Sequence, residues 1–181
     1  MATVQGSRPT RSPAAPQRRN WLAEASQAAK AKPTAAVLYG VPGIGKTSFA
    51  AHMPGCVFLT DKQEDGISTL KRSGLVPSSV PVIPPVSSWT EVLEVLDDLE
   101  NGEHPYRGLV IDALTGIERL CHEHVCAREF GGDWGERGFA GYGRGVLVSL
   151  AEWRSLLCAF DRLRERKNMS ILCLAHAKAG T

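Results

Sequence analysis

Short apolar runs alternate with amphipathic stretches along most of the chain, and this alternation predicts an α/β fold. The apolar runs, in chain order, are Ala35–Tyr39, Cys56–Thr60, Val80–Ile83, Leu109–Ile111 and Ile171–Ala175. The intervals between most of them are long enough for helical crossovers, as parallel strands require. We therefore expect a three-layer α/β/α domain with a mainly parallel central sheet of about five strands. Prolines interrupt the Val80–Ile83 run, which predicts a short or edge strand there.

Three helices are predicted from period-3.6 apolar stripes. The first begins at an S-x-x-E capping box, Ser88 and Glu91, and ends at Asn101-Gly102. The second follows Asp112, and the third is long, from about residue 146 to residue 166. The apolar face of the first helix holds Val92, Leu96 and Leu99; the inner side of the second holds Leu114, Ile117, Leu120 and Cys121; the apolar stripe of the third is Leu150, Trp153, Leu157 and Phe160.

Charge divides the chain into a basic start and a slightly acidic remainder. Residues 1–20 carry four arginines and no acid, whereas the whole chain has a net charge of +2, so the remaining 161 residues carry −2. The first 19 residues are rich in Pro, Ala, Ser and Arg, a composition that cannot form a packed core. We expect residues 1–32 to be a disordered basic tail with a short helix over Trp21–Lys30, followed by one domain over residues 33–181. This distribution argues against a broad nucleic-acid-binding surface on the domain.

The five cysteines are odd in number and widely spread, which is typical of reduced core thiols in a cytoplasmic protein. No apolar stretch approaches the roughly 18 residues that a membrane span needs. The segment Cys121-His122-x-His124-x-Cys126 resembles a zinc motif, but on a helix its side chains face different sides and no four-ligand set converges. We expect a cytoplasmic protein without zinc.

Residues 40–47 match G-x-x-x-x-G-K-[ST] after a predicted strand and at the start of a helix, which is the context of a phosphate-binding P-loop. Glycines let the backbone turn tightly and direct its N–H groups at phosphate oxygens. Lys46 would bind the β- and γ-phosphates, and the Thr47 hydroxyl would ligate Mg²⁺. The sequence therefore predicts a site for Mg²⁺ and a nucleoside triphosphate, ATP being preferred. The residues expected to bind the nucleotide are Gly40, Val41, Pro42, Gly43, Ile44, Gly45, Lys46, Thr47 and Ser48.

A second metal anchor and a catalytic base are also predicted at strand ends. Leu109–Ile111 delivers Asp112 to the carboxyl edge of the sheet in a Walker-B-type pattern, where it would hold Mg²⁺ directly or through water. Hydrolysis needs a group that orients or deprotonates the attacking water. AAA+ ATPases place a glutamate directly after the Walker-B aspartate, and Ala113 at that position argues against their class. The neighbouring strand end offers Glu64 as the preferred base and Asp61 as the second candidate.

Five segments together resemble the RecA-like P-loop ATPases encoded by bacteriophages, including phage single-strand annealing recombinases. The resemblance covers about Pro33–Lys178. The segments are YGVPGIGKTSFA, FLTDKQEDG, LVIDALTGIE, GYGRG and ILCLAHAK. It implies a RecA-like fold, ATP hydrolysis with Glu64 as the catalytic glutamate, and His176 as the residue that senses the γ-phosphate. It also implies a location in the cytoplasm of a bacterial host.

A glycine-rich segment, Phe130–Gly145, lies where RecA-like proteins have their first DNA-binding loop. Aromatic and arginine side chains on flexible glycines suit stacking on unpaired bases, but two acids in the segment offset its arginines. A mobile structural loop or a subunit contact is the alternative. The candidate nucleic-acid contacts are Trp134, Arg137, Phe139, Tyr142 and Arg144.

The sequence favours an ATPase that acts on single-stranded DNA in phage or mobile-element recombination. A small P-loop kinase is one alternative, and an ATP-binding switch or scaffold without hydrolysis is another. The chain ends five residues after His176, which predicts that it lacks the later strands and second DNA-binding loop of the RecA-like core. A homo-oligomer or filament is expected where that C-terminal part is present.

Overall fold

The structure is a computed structural model that describes Asn20 and residues 32–177. Apart from Asn20, these residues belong to the second of two compact units, Lys32–Thr181. The predicted tail and its Trp21–Lys30 helix otherwise lie outside the described residues, as do residues 178–181.

The described residues form one parallel sheet with connecting helices. The strands are β1 (Ala35–Gly40), β2 (Cys56–Thr60), β3 (Gly108–Asp112) and β4 (Ser170–His176). The helices are α1 (Lys46–Ala50), α2 (Gly66–Arg72), α3 (Trp89–Asn101), α4 (Leu114–Phe130) and α5 (Arg144–Arg166). The strand order is β1-β4-β3-β2, and all three pairings are parallel. The carboxyl ends of the strands therefore meet at one edge of the sheet.

Side chains alternate between the two faces of the sheet and build a separate core on each. On one face, Val57, Leu109 and Ile171 pack with apolar residues of α3, α4 and α5. On the other, Phe58 and Val110 pack with residues of α1 and α2. This is the predicted three-layer α/β/α arrangement, and period-two alternation in buried strands produces it.

The sheet has four strands among the described residues, not about five, because Val80–Ile83 forms no strand. The segment runs beside β2 and makes only isolated bridges, Val82 with Phe58 and Val86 with Asp61. Phe58 N donates to Pro81 O at 3.0 Å, and Ile83 N donates to Phe58 O at 2.8 Å. Prolines lack the N–H group that a continuous ladder needs, so the pairing cannot extend.

Helix α5 differs from the prediction in the face it buries. Leu150 and Leu157 are 43% and 55% exposed, whereas Leu156 and Leu163 are fully buried against the sheet. Phe160 is buried as predicted. The apolar residues of this helix extend around more than half of its circumference, so periodicity alone did not define the buried side.

The capping box of α3 forms, with one change of partner. Glu91 N donates to Ser88 Oγ at 3.2 Å, as expected for an N-cap serine. The Glu91 carboxylate accepts from Ser87 N at 2.6 Å instead of from Ser88. Gly102 ends the helix as predicted.

All five cysteines are free thiols, and four of them are buried; only Cys158 is exposed. Burial raises the pKa of Cys121 to about 12 and that of Cys173 to about 11. These thiols stay protonated near neutral pH and are poor nucleophiles and metal ligands. Among the described residues, no helix is both long enough and apolar enough to span a membrane.

Candidate nucleotide site

Residues 41–45 connect β1 to α1 and wrap around a hollow at the carboxyl edge of the sheet. Gly43 and Gly45 have φ of 79° and 95°, a left-handed conformation that side chains other than glycine rarely adopt. Lys46 Nζ donates to Gly40 O at 2.9 Å and to Val41 O at 3.0 Å. The lysine therefore holds the beginning of the loop against its end, in the wrapped form that anion binding requires.

Thr47 and Asp112 meet across this hollow. Thr47 lies in α1, which follows β1, and Asp112 ends β3, so β4 lies between the two strands. Thr47 Oγ1 donates to Asp112 Oδ2 at 2.9 Å. Asp112 ends β3 and is 1% exposed. The structure thus brings together the two residues that the sequence predicted as metal anchors.

The chemistry of this pair fits Mg²⁺. Hydroxyl and carboxylate oxygens are the hard ligands that this ion prefers, and octahedral bonds of about 2.0–2.1 Å place neighbouring ligand oxygens about 2.9 Å apart. Within the described part of the chain, no group of three or more His, Cys, Asp or Glu is arranged as a metal cage. The remaining ligands would be water and phosphate oxygens, which is usual for Mg²⁺ in nucleotide sites.

Burial raises the pKa of Asp112, and the nearby Glu64 carboxylate raises it further. The Thr47 hydrogen bond and the positive potential of His176 and Lys46 act in the opposite direction and are outweighed. The folded protein therefore binds the Asp112 proton more tightly than the unfolded chain does. In the pH interval above the ordinary value of 3.8, this group lowers the free energy of unfolding as pH rises.

Asp112→Asn is accordingly expected to raise the melting temperature of the nucleotide-free protein at neutral pH. About 1 kcal/mol from removing a buried charge corresponds to roughly 2–4 °C in a domain of this size. The same variant should lose the strengthening of nucleotide binding by Mg²⁺. Melting curves from about pH 4 to about pH 8 test the first part, since the variant should lack the Asp112 contribution to pH dependence. A lower melting temperature at neutral pH would contradict it.

Glu64 lies beside this pair at the start of α2. Its carboxylate Oε1 accepts from Gly66 N at 3.3 Å, so the backbone fixes its position. A cleft of about 550 Å³ contains the P-loop, Glu64, Gly66 and His176, with Leu70 and Leu75 as its apolar wall. The sequence analysis did not identify Gly66 as a site residue, although it ends FLTDKQEDG, one of the five segments that carry the resemblance.

Asp61, the second candidate base, is engaged elsewhere. It is buried, and its carboxylate binds Arg119 Nη2 at 2.8 Å. Gly116 leaves room for this carboxylate, since a Cβ there would lie 2.6 Å from it. Asp61 lines a second cleft together with Arg119 and Trp134; Glu64 lines both this cleft and the P-loop cleft, and Asp61 does not line the P-loop cleft. The geometry therefore favours Glu64 over Asp61 as the group that faces the phosphates.

His176 is the last residue of β4 and lies at the edge of the nucleotide cleft. It is level with Gly40 in the β1–β4 register, and it is half-buried. Its position between the P-loop strand and β3 follows from the strand order, which places β4 in the middle. The resemblance implied a place for His176 near the γ-phosphate, and in the structure it lines the P-loop cleft.

The five predicted nucleic-acid residues divide into two groups. Phe139 is buried in an aromatic cluster, with its ring 4.9 Å from Trp134, 5.1 Å from His122 and 5.8 Å from Phe130. Arg144 Nη2 donates to backbone carbonyls of the loop, including that of Arg137. Phe139 is therefore not accessible to a strand of DNA, whereas Arg144 is exposed and is bound to the loop backbone. The other exposed side chains of the five are those of Trp134, Arg137 and Tyr142.

A family model described as an AAA domain matches residues 32–181, which include the P-loop, Glu64, Asp112 and His176. No curated protein matches the chain. The family match corrects the exclusion drawn from Ala113: the absence of a glutamate directly after Asp112 does not place this chain outside the AAA class. A carboxylate from the segment after β2, that of Glu64, lines the P-loop cleft of this chain.

Proposed function

The chain belongs to the AAA domain family of P-loop proteins, and from this premise we propose that it binds ATP with Mg²⁺ at residues 40–48 and hydrolyses it. The observation that carries the proposal is the contact of Thr47 Oγ1 with Asp112 Oδ2 at the mouth of a wrapped P-loop. A chance glycine turn would have no reason to face a buried strand-end carboxylate.

The residues divide the work of hydrolysis between them. Lys46 binds the β- and γ-phosphates, and Thr47 with Asp112 holds Mg²⁺, which when bound withdraws charge from the phosphate oxygens. Glu64 accepts the proton of the attacking water while the water oxygen bonds to the γ-phosphorus. The bond between the γ-phosphorus and the oxygen that leaves with ADP breaks in the same step. Gly66 N orients the Glu64 carboxylate. His176 responds to the loss of the γ-phosphate, a role that its place in the lining of the cleft supports.

We further propose that single-stranded DNA is the partner, in phage or mobile-element recombination. The resemblance to RecA-like phage ATPases supports this, as do the aromatic side chains that the glycine-rich loop leaves exposed. Trp134 is half-exposed and Tyr142 is fully exposed, and both are suited to stacking on unpaired bases. Arg137 is exposed beside them and would contact phosphate.

Phosphate release from ATP, measured with and without single-stranded DNA, tests both proposals. We expect Mg²⁺-dependent turnover that single-stranded DNA increases and that duplex DNA of the same length increases less. A Trp134→Ala and Tyr142→Ala double variant should keep the basal rate and lose the increase. Transfer of labelled phosphate to a small acceptor without DNA would instead identify a kinase. Unchanged ATP after prolonged incubation with Mg²⁺ and single-stranded DNA would identify a binding module that does not hydrolyse ATP.

A further inference from the structure

Gly66 lies at the centre of the residues that carry the proposed chemistry. A Cβ built on its backbone would be 3.1 Å from Glu64 Oε1, 3.7 Å from Thr47 Oγ1 and 3.9 Å from Asp112 Oδ2. One methyl group would therefore touch the oxygen of the proposed base and approach both oxygens of the proposed metal anchors. Among the described glycines, this is the one whose missing side chain borders all three.

The backbone of Gly66 does not itself require glycine. Its φ lies outside the left-handed region, so an L-residue fits the conformation without strain. Gly66 is also the first residue of α2, and glycine is a poorer helix former than alanine. Local structure thus favours another residue at position 66. The space in the cleft beside Glu64, Thr47 and Asp112 is what favours glycine there.

The amide of Gly66 has a separate role. It donates to Glu64 Oε1 at 3.3 Å, which turns the carboxylate toward the helix start and the cleft. A carboxylate held by a backbone N–H loses rotational freedom before the substrate arrives, and such preorganisation favours catalysis. A methyl group at 3.1 Å from the same oxygen is closer than ordinary van der Waals contact, so Glu64 Oε1 or the helix start would have to shift by a few tenths of an ångström.

We propose that Gly66 is a positioning residue of the nucleotide site. Its amide fixes Glu64, and its missing side chain leaves the space beside Thr47 and Asp112 that Mg²⁺ and the attacking water need. The proposal rests on the ATPase function proposed above and assigns a role within that same site.

Gly66→Ala tests this inference, with Ser68→Ala as the matched control. Ser68 is exposed in the same short helix and contributes nothing to the cleft. We expect Gly66→Ala to lower kcat at least about tenfold and to reduce the strengthening of nucleotide binding by Mg²⁺, measured with a fluorescent ATP analogue. Binding of the analogue in EDTA should stay within about twofold of the unsubstituted protein, because the P-loop is untouched. The melting temperature should be unchanged or higher, because alanine favours the helix. Ser68→Ala should change none of these.

The outcomes separate this inference from the function on which it rests. An unsubstituted protein that shows no turnover contradicts the ATPase proposal, and the ratio of analogue affinities with Mg²⁺ and with EDTA still tests Gly66. Equal ratios in Gly66→Ala and the unsubstituted protein, with equal kcat where turnover exists, overturn the inference. A fall in melting temperature that accounts for the loss of activity also overturns it, because the role would then be structural.

Discussion

Lys46→Ala is expected to weaken ATP binding by at least about 100-fold and to abolish turnover. A hydrogen bond to a charged group contributes roughly 1.5–3 kcal/mol, and each 1.4 kcal/mol is a factor of about ten in affinity, so two phosphate contacts account for this loss. The Lys46 side chain is buried, and its ammonium already lies at the loop mouth through bonds to Gly40 O and Val41 O. The alanine variant loses the positive charge that would bind the phosphates, and it also loses the hydrogen bonds that close the loop.

Lys62→Ala is the control for the loss of one positive charge. Lys62 is exposed at the end of β2 and lies outside the nucleotide cleft. Titration of a fluorescent ATP analogue should therefore give nearly the same Kd for Lys62→Ala as for the unsubstituted protein. Melting curves for both variants establish that each is folded. If Lys46→Ala bound the analogue as tightly as Lys62→Ala does, the nucleotide would not use this loop.

The geometry of the candidate nucleotide site was largely predictable because its features are local in sequence. A strand, a glycine-rich turn and a helix follow one another within 16 residues of Ala35, and the backbone requirements of Gly43 and Gly45 are visible as residue types. Asp112 was predictable because a buried parallel strand appears as an apolar run and its last residue lies at the ligand-binding edge.

Features that depend on distant pairs could not be predicted in this way. Arg119 is 58 residues from Asp61, and no local pattern indicates that the guanidinium of Arg119 meets the carboxylate of Asp61. The closeness of Gly66 to Thr47 and Asp112 likewise depends on how α1, α2 and β3 converge. Phe139 is of a residue type that stacks on bases, but in the structure its ring packs against that of Phe130 at the end of α4.

Glu64→Gln is expected to retain nucleotide binding within about threefold and to lower turnover at least about 100-fold, which is the usual contribution of a general base. The amide keeps the size of the side chain and can still accept from Gly66 N, but it cannot take a proton from water. Phosphate release and analogue binding, measured on the same preparation, separate the two effects. Glu118→Gln is the matched control, because Glu118 is an exposed carboxylate near the same sheet edge but outside the P-loop cleft.

A second signature distinguishes a base from a metal ligand. The Glu64 carboxylate raises the pKa of Asp112, so its replacement by an amide should lower that pKa and keep Asp112 ionised to lower pH. Mg²⁺-dependent binding of the analogue should therefore extend to lower pH in Glu64→Gln, while turnover is lost at every pH. A metal ligand would show the opposite, a loss of Mg²⁺-dependent binding. Turnover equal to that of Glu118→Gln would remove Glu64 from the mechanism. Asp61 is not expected to replace it, because that carboxylate is bound to Arg119 and does not line the P-loop cleft.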